Sequence, residues 1–317
     1  MDTPKQTEYS VIIPVYGRGD CLTELVLRLD NKFNDLEWTS PEVVMIDDCG
    51  SSESWDRIQE ITRSRSNTKG IQLSRNFGQH NAIMCGFHHA AGDIIITIDD
   101  DLQQEPESIP RLIDALKVDD LDLVYGAYAE KQHAFGRNIG SNLVNRFYRL
   151  IFKSPVTVTS FRAIRRDLVS SILRYELNFT YIDGLLAWNT TRIGTADIPH
   201  HERRSGQSGY TLSKLLVLAM NIFTNFSLLP LQIVSFMGIT SAFLGISLGG
   251  WYAISALLTQ VSVPGYASTI VAVLVLGGFQ LLSLGIMGEY IGRLHLNVNR
   301  KPQFNVRKTT KSAHDCE

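Results

Sequence analysis

The sequence predicts an α/β domain on a mostly parallel sheet, followed by a C-terminal pair of transmembrane helices. Three observations predict it. Short β-branched runs alternate with segments of helical periodicity, several runs end in carboxylates, and no charged residue stands between Lys214 and Glu289. Strands alternating with helices mean a parallel sheet covered by helices. Open parallel sheets bind ligands just beyond the carboxyl ends of their strands, so carboxylates released there mark a candidate site.

The elements follow in order. Val11 to Tyr16 is an apolar run before a Gly-Arg-Gly turn and reads as the first strand; Cys21 to Phe33 carries Leu22, Leu25, Val26 and Leu29 at helical spacing. Glu42 to Ile46 is the second strand and delivers Asp47 and Asp48; a helix follows around Trp55 to Arg63, with Ser51 or Ser52 as N-cap. Ile71 to Leu73 is the third strand, and Asn81 to Ala91 a helix of small residues. The fourth strand, Ile94 to Ile98, releases Asp99, Asp100 and Asp101. Alternation along extended backbone puts Asp99 and Asp101 on one side and Asp100 on the other. Two hard oxygen ligands suit Mg²⁺ or Mn²⁺, which bind through one or two carboxylates plus substrate phosphates. The alternative is an acidic loop that caps the helix starting near Pro106. After a helix at Pro110 to Val118, Leu123 to Tyr125 is the fifth strand, and Phe161 to Arg166 and Ile182 to Ile193 return to mixed patterning.

From Arg137 the character changes. Ile139, Leu143, Val144, Phe147, Leu150 and Ile151 share a helical face, with Arg137, Arg146, Arg149 and Lys153 around it. That pattern suits a helix at a membrane surface, or an ordinary helix packed on the sheet. His200 to Tyr210 is a polar, basic loop. The expected domains are 1–212 (catalytic), 213–229 (an amphipathic interface helix), 230–290 (two spans, about 231–258 and 267–288) and 291–317 (a basic tail). Each span exceeds the roughly 20 apolar residues that cross a bilayer. Arg203, Arg204 and Lys214 precede the pair, and Arg293, Arg300, Lys301, Arg307 and Lys308 follow it. The positive-inside rule then places both termini and the α/β domain in the cytoplasm of an integral plasma- or inner-membrane protein.

Composition narrows the class. A net charge of −2 over 317 residues argues against a nucleic-acid partner. Cys21, Cys49, Cys85 and Cys316 lack metal-ligand spacing, and the pairs His88-His89 and His200-His201 lack it too. Met1 to Ser10 carries no apolar signal-peptide core. A homo-oligomer is expected, since Gly245, Gly249, Gly250, Gly277 and Gly278 allow close contacts between spans.

Five stretches together carry a resemblance: Val-Ile-Ile-Pro-Val-Tyr at 11–16, Ile-Asp-Asp-Cys-Gly-Ser-Ser at 46–52, Ser-Arg-Asn-Phe-Gly-Gln-His at 74–80, Ile-Asp-Asp-Asp-Leu-Gln at 98–103 with Pro106-Glu107, and Gly-Glu-Tyr-Ile-Gly-Arg at 288–293. The chain resembles family 2 glycosyltransferases of the GT-A fold. Within them it is similar to polyprenyl-phosphate glycosyltransferases such as dolichyl-phosphate mannose synthase and the bacterial undecaprenyl-phosphate glucosyl and aminoarabinose transferases. A lone Asp-x-Asp is a weak signal, whereas this ordered set spans nearly the whole chain.

The resemblance implies a transferase that moves a sugar from a nucleotide sugar to a polyprenyl (undecaprenyl or dolichyl) phosphate at the cytoplasmic face. UDP is favoured over GDP, with inversion at the anomeric carbon. It implies that Pro14, Tyr16, Asp47, Asp48, Arg75 and Asp100 hold the nucleotide, that Asp99 and Asp101 bind Mg²⁺ or Mn²⁺, and that Gln103 sits beside the metal. Arg137, Arg203 and Ser208 would contact the phosphates, with Arg137 and Arg203 in the catalytic set beside Asp99, Asp101 and Gln103; an arginine fork suits a phosphate bidentately. Asp183 would be a base, or else cap a helix or form a salt bridge. Departures bear on the sugar contacts. Ser208 is followed by Gly209 where relatives carry lysine, with Lys214 as a substitute; Lys131 replaces an arginine; Cys49 is inserted between Asp48 and Gly50. A processive polysaccharide synthase would need more spans and a Gln-x-x-Arg-Trp motif. A two-metal phosphatase or nucleotidyltransferase would not need the hairpin. The rival from another class is a nucleotide-binding membrane scaffold, or a lipid-flipping protein without transferase activity.

Overall fold

A computed structural model describes residues 7–128, 158–176, 180–199, 229–258, 265–299 and 301–310. The chain forms two compact units: Met1–Leu212 together with Lys301–Glu317, and Ser213–Arg300.

In the first unit, strands β1 (Tyr9–Val15), β2 (Glu42–Asp47), β3 (Thr68–Leu73), β4 (Ile94–Thr97), β5 (Leu123–Tyr128), β6 (Arg162–Arg165), β7 (Ile193–Ile198) and β8 (Val306–Thr309) form one sheet in the order β7-β5-β6-β4-β1-β2-β3-β8. β1 pairs in parallel with β2 and β4, β2 with β3, and β5 with β7. β6 is antiparallel to both β4 and β5, and β8 is antiparallel to β3. Helices α1 (Leu22–Asp35), α2 (Ser52–Ser64), α3 (Gln79–His89), α4 (Ile109–Val118), α5 (Arg166–Ile172) and α6 (Ile182–Asn189) connect them. The central strands are apolar because both faces are covered: Ile12, Ile13, Val43, Met45, Ile95 and Ile96 are buried. α1 buries Leu22, Leu25, Val26, Leu29 and Phe33, one stripe at helical spacing. α3 lies so close to the sheet that a Cβ on Gly86 would stand 2.5 Å from Ile12 Cγ2 and 3.0 Å from Ile46 Cδ1. The small residues of that helix are there for this approach.

The second unit contains α7 (Leu229–Leu258) and α8 (Tyr266–Val298). Within them Leu231–Trp251 and Val275–Val298 are long and apolar enough to cross a membrane, with mean hydropathy 1.7 and 1.2. Their apolar side chains, among them Phe236, Phe243, Trp251 and Leu281, face outward.

Four differences from expectation are physical. β4 ends at Thr97, before the carboxylates, because residues 100–101 turn. Ser51 occupies the N-cap position of α2 but makes no side-chain cap; its hydroxyl donates to the Gly17 carbonyl at 3.1 Å instead. α8 runs ten residues past Gly288, and Glu289 and Arg293 pair along it at 2.6 Å. The stretch read as a basic tail supplies β8, whose pairing covers the edge of β3. The amphipathic pattern of 137–153, the loop at 200–210 and residues 213–228 lie outside the described residues, and with them Lys131, Arg137, Arg203, Ser208 and Lys214.

Candidate active site

The carboxyl ends of β1, β2 and β4 meet the first turn of α3 around a cleft of about 400 Å³, lined by Pro14, Tyr16, Asp48, Asn76, Gly78, Gln79 and all three of Asp99, Asp100 and Asp101. Tyr16 is 68% exposed and free to meet a ligand there. The expected alternation, with Asp100 turned away, does not hold. The chain turns immediately after β4, so strand geometry no longer dictates where these side chains go. Leu102, at φ 55°, completes that turn in the left-handed region that a bulky residue rarely occupies.

Asp99 is the most heavily braced of the three. Its Oδ1 accepts from Gln79 Nε2 at 2.6 Å, and its Oδ2 accepts from Ser160 Oγ at 2.5 Å and Gln104 Nε2 at 3.3 Å. Gln104 also accepts the Asp99 amide at 3.0 Å and donates to Ser160 at 2.6 Å. Asp101 accepts from the Gln103 side chain and from its backbone N–H. Burial, with Asp101 nearby, pushes the Asp99 carboxyl up; burial and the flanking Asp99 and Asp101 charges push Asp100 up to about 7. Three carboxylates crowd one cleft; among the described residues none of them forms a salt bridge, and the Arg162 charge offsets only part of the burial of Asp99.

At the end of β2 the two carboxylates brace loops. Asp47 Oδ1 accepts from Gly50 N at 3.0 Å and Ser54 Oγ at 3.1 Å, while Oδ2 accepts from Gln72 Nε2 at 2.9 Å. Asp48 accepts the Phe77 and Gly78 amides at 2.7 and 2.8 Å, which fixes the entry to α3; burial nevertheless raises its carboxyl. Asp48 lines the cleft and Asp47 stands behind it. Arg75 is exposed, its guanidinium 4.6 Å from the Phe77 ring centroid.

Asp183 is buried at the start of α6. Arg162 grips it with Nε at 2.8 Å and Nη2 at 2.9 Å, and Tyr125 donates its hydroxyl at 3.0 Å. Arg162 Nη1 also reaches Thr97 Oγ1 at 3.2 Å, tying this pair to the end of β4. A carboxylate held in this way acts as a salt-bridge partner. Sequence reasoning missed Gln79, Gln104, Ser160 and Arg162. Gln79 lies within the quoted stretch 74–80 and Gln104 directly follows 98–103, but Ser160 and Arg162 come from β6 and its approach, and only the antiparallel pairing with β4 brings them in.

A mostly parallel sheet with an acidic cluster at its carboxyl edge defines a GT-A-type transferase fold. Family comparison makes this specific: the chain belongs to glycosyl transferase family 2, whose model matches residues 10–173. It is a glycosyltransferase. It is 33% identical to an undecaprenyl-phosphate 4-deoxy-4-formamido-L-arabinose transferase of Edwardsiella ictaluri, over 96% of this chain and 94% of that one. The corresponding enzyme of Klebsiella pneumoniae is 31% identical over 97% and 95%. An uncharacterized glycosyltransferase of Synechocystis is 32% identical over 94% of each chain. Among solved structures, glucosyl-3-phosphoglycerate synthase from Mycobacterium tuberculosis, in complex with Mn²⁺, UDP-glucose and phosphoglyceric acid, shares the fold at a TM-score of 0.50 and 16% identity, covering 69% of this chain and 78% of that one.

Proposed function

We propose that this glycosyltransferase moves a sugar from a UDP-sugar to a polyprenyl phosphate at the cytoplasmic face of the inner membrane, using Mg²⁺ or Mn²⁺. The observation that carries the reading is the crowding of Asp99, Asp100 and Asp101 in one cleft at the sheet's carboxyl edge. Among the described residues no three His, Cys, Asp or Glu side chains form a protein-only metal cage. Such a donor set suits a cation bound by one or two carboxylates and completed by diphosphate oxygens. Asp99 and Asp101 would hold it, and when bound it would supply Lewis-acid stabilisation of the departing nucleoside diphosphate.

The chain's own residues do the remaining work. Gln79, Gln104 and Ser160 fix Asp99, and Gln103 fixes Asp101, so the carboxylates need little reorganisation on binding. Tyr16 and Pro14 offer a wall for the base, and Asp48 holds the loop that carries Asn76 against it. The nucleophile is an oxygen of the acceptor phosphate, already ionised at neutral pH. No strong base is required, which agrees with Asp183 being committed to Arg162. Displacement in line at the anomeric carbon inverts its configuration, and positioning supplies most of the rate. Arg137, Arg203 and Ser208 are proposed to meet the phosphates.

Names of relatives support the acceptor, since enzymes over 30% identical along nearly the full chain act on undecaprenyl phosphate. The two apolar helices support the membrane. That residues 1–212 and 301–317 belong to one unit, with β8 paired to β3, supports a pair of spans whose two ends lie on one face. Basic residues on both flanks support that face being cytoplasmic.

The test is transfer of radiolabelled sugar from each of a panel of UDP-sugars into solvent-extractable polyprenyl phosphate by the purified full chain. Label in the lipid fraction is expected with one or a few donors. Nucleotide binding with no transfer from any donor would favour the membrane scaffold.

A further inference from the structure

In the first unit, three described buried side-chain atoms lack any hydrogen-bond partner: His80 Nδ1, Asn81 Oδ1 and Thr180 Oγ1. They come from two neighbouring places. His80 and Asn81 are in the first turn of α3; Thr180 precedes Tyr181, whose ring meets the His80 ring edge-on at 5.3 Å and 73°. A buried polar atom left unpaired costs about 1–3 kcal/mol, so three on two segments that touch through His80 and Tyr181 need a reason.

The junction adjoins the cleft. Gly78 and Gln79, the residues just before His80, line it, and Gln79 donates to Asp99 at 2.6 Å. On the other side Asp183, two residues beyond Tyr181, is tied through Arg162 to Thr97 at the end of β4. We propose that His80, Asn81 and Thr180 form the subsite for the donor's sugar, pairing with hydroxyl groups of a neutral hexosyl ring. The inference rests on the transferase reading and extends it to specificity.

Chemistry selects the ligand class. Asn81 Oδ1 can only accept, Thr180 can accept or donate, and burial holds the His80 imidazole in its neutral form, with one acceptor nitrogen. A phosphate offers no donor to match such acceptors. A hard cation such as Mg²⁺ or Mn²⁺ binds chiefly through carboxylates, and the neighbouring Asp183 is already gripped by Arg162. Sugar hydroxyls both donate and accept. The three atoms face no solvent in the ligand-free chain, so the sugar must displace the Tyr181 ring from His80.

The test compares UDP with UDP-glucose, UDP-galactose, UDP-N-acetylglucosamine, UDP-glucuronic acid and UDP-xylose, all with Mn²⁺, by calorimetric titration of the full chain in detergent. The wild type should bind at least one UDP-sugar more tightly than UDP. Thr180→Val, which keeps the shape and removes the orphan hydroxyl, should cut that preference about tenfold, the value of one hydrogen bond of about 1.4 kcal/mol. It should leave UDP affinity unchanged and raise the melting temperature; Thr180→Ser should restore the preference. His80→Leu should lose preference likewise. An unchanged preference in both variants overturns the subsite and means the atoms are a packing defect or hold only water. A wild type that binds UDP but gains nothing from any sugar also overturns it, leaving the transferase reading intact. A wild type that binds no UDP removes both.

Discussion

Single residues show how buried charge is held in this fold. Arg162 and Asp183 are both buried and pair at 2.7 Å. Removing one partner of a buried pair strands the other charge, at about 3–5 kcal/mol, whereas replacing both with apolar groups is often neutral. Arg162→Met is therefore expected to lower unfolding free energy by that amount in urea, and Arg162→Met with Asp183→Leu to recover most of it. Equal loss in the single and double variants would show that shape, not charge, matters there. Far from the cleft, Glu42 accepts from Ser10 Oγ at 2.5 Å and Ala91 N at 2.7 Å, and pairs with Lys69 at 2.7 Å. Burial raises its carboxyl, but the Lys69, Ser10 and Ala91 bonds outweigh it and hold the group below its ordinary 4.5. A carboxyl lowered in the folded chain stabilises it above the unfolded value, and that contribution is lost as pH falls through the folded one. Glu42→Gln should thus be less stable than the wild type at pH 7 and lose less on acidification below 4.5; parallel melting-temperature profiles against pH would refute this.

At the scale of elements, β8 carries the largest lesson. Val306-Arg-Lys-Thr309 has no hydrophobic run, and its partner lies more than two hundred residues earlier. Sequence periodicity reads such a segment as a solvated tail. What makes it a strand is the open edge of β3, with Thr310 Oγ1 accepting the Gly70 amide at 2.9 Å and Asn305 O accepting the Ser74 amide at 2.9 Å. Gly70 leaves room for it, since a Cβ there would meet Thr310 Cγ2 at 2.9 Å. Ending the chain at Pro302 should raise hydrogen exchange at β3 amides while β1 and β4 stay protected; unchanged exchange in β3 would mean that β8 contributes nothing. The central strands were legible because burial on both faces writes itself as β-branched runs. The antiparallel entry of β6 was not, because Arg162-Ala-Ile-Arg165 says nothing of direction. For the same reason Asp99, Asp100 and Asp101 were readable as a site, while Ser160 and Gln104, which hold Asp99, were not.

For the whole molecule, the lone uncharged stretch of the sequence became two long helices with outward-facing apolar side chains, so its period and length sufficed. Topology is open to a direct check. With Cys21 and Cys49 replaced by serine, a membrane-impermeant maleimide added to intact cells should label Ser262→Cys, between the spans, and spare the native Cys316. Labelling of Cys316 in intact cells would contradict a pair of spans with both flanks inside. The central claim, that the acidic cluster binds nucleotide through a divalent cation, is tested most directly by titrating UDP into the full chain with and without Mn²⁺, in the wild type and in Asp101→Ala. The account predicts that Mn²⁺ tightens UDP binding by about tenfold or more in the wild type, as expected if one strong charge interaction of ~1.4 kcal/mol is gained, and that Asp101→Ala abolishes this gain. Equal UDP affinity with and without the metal in the wild type would contradict it.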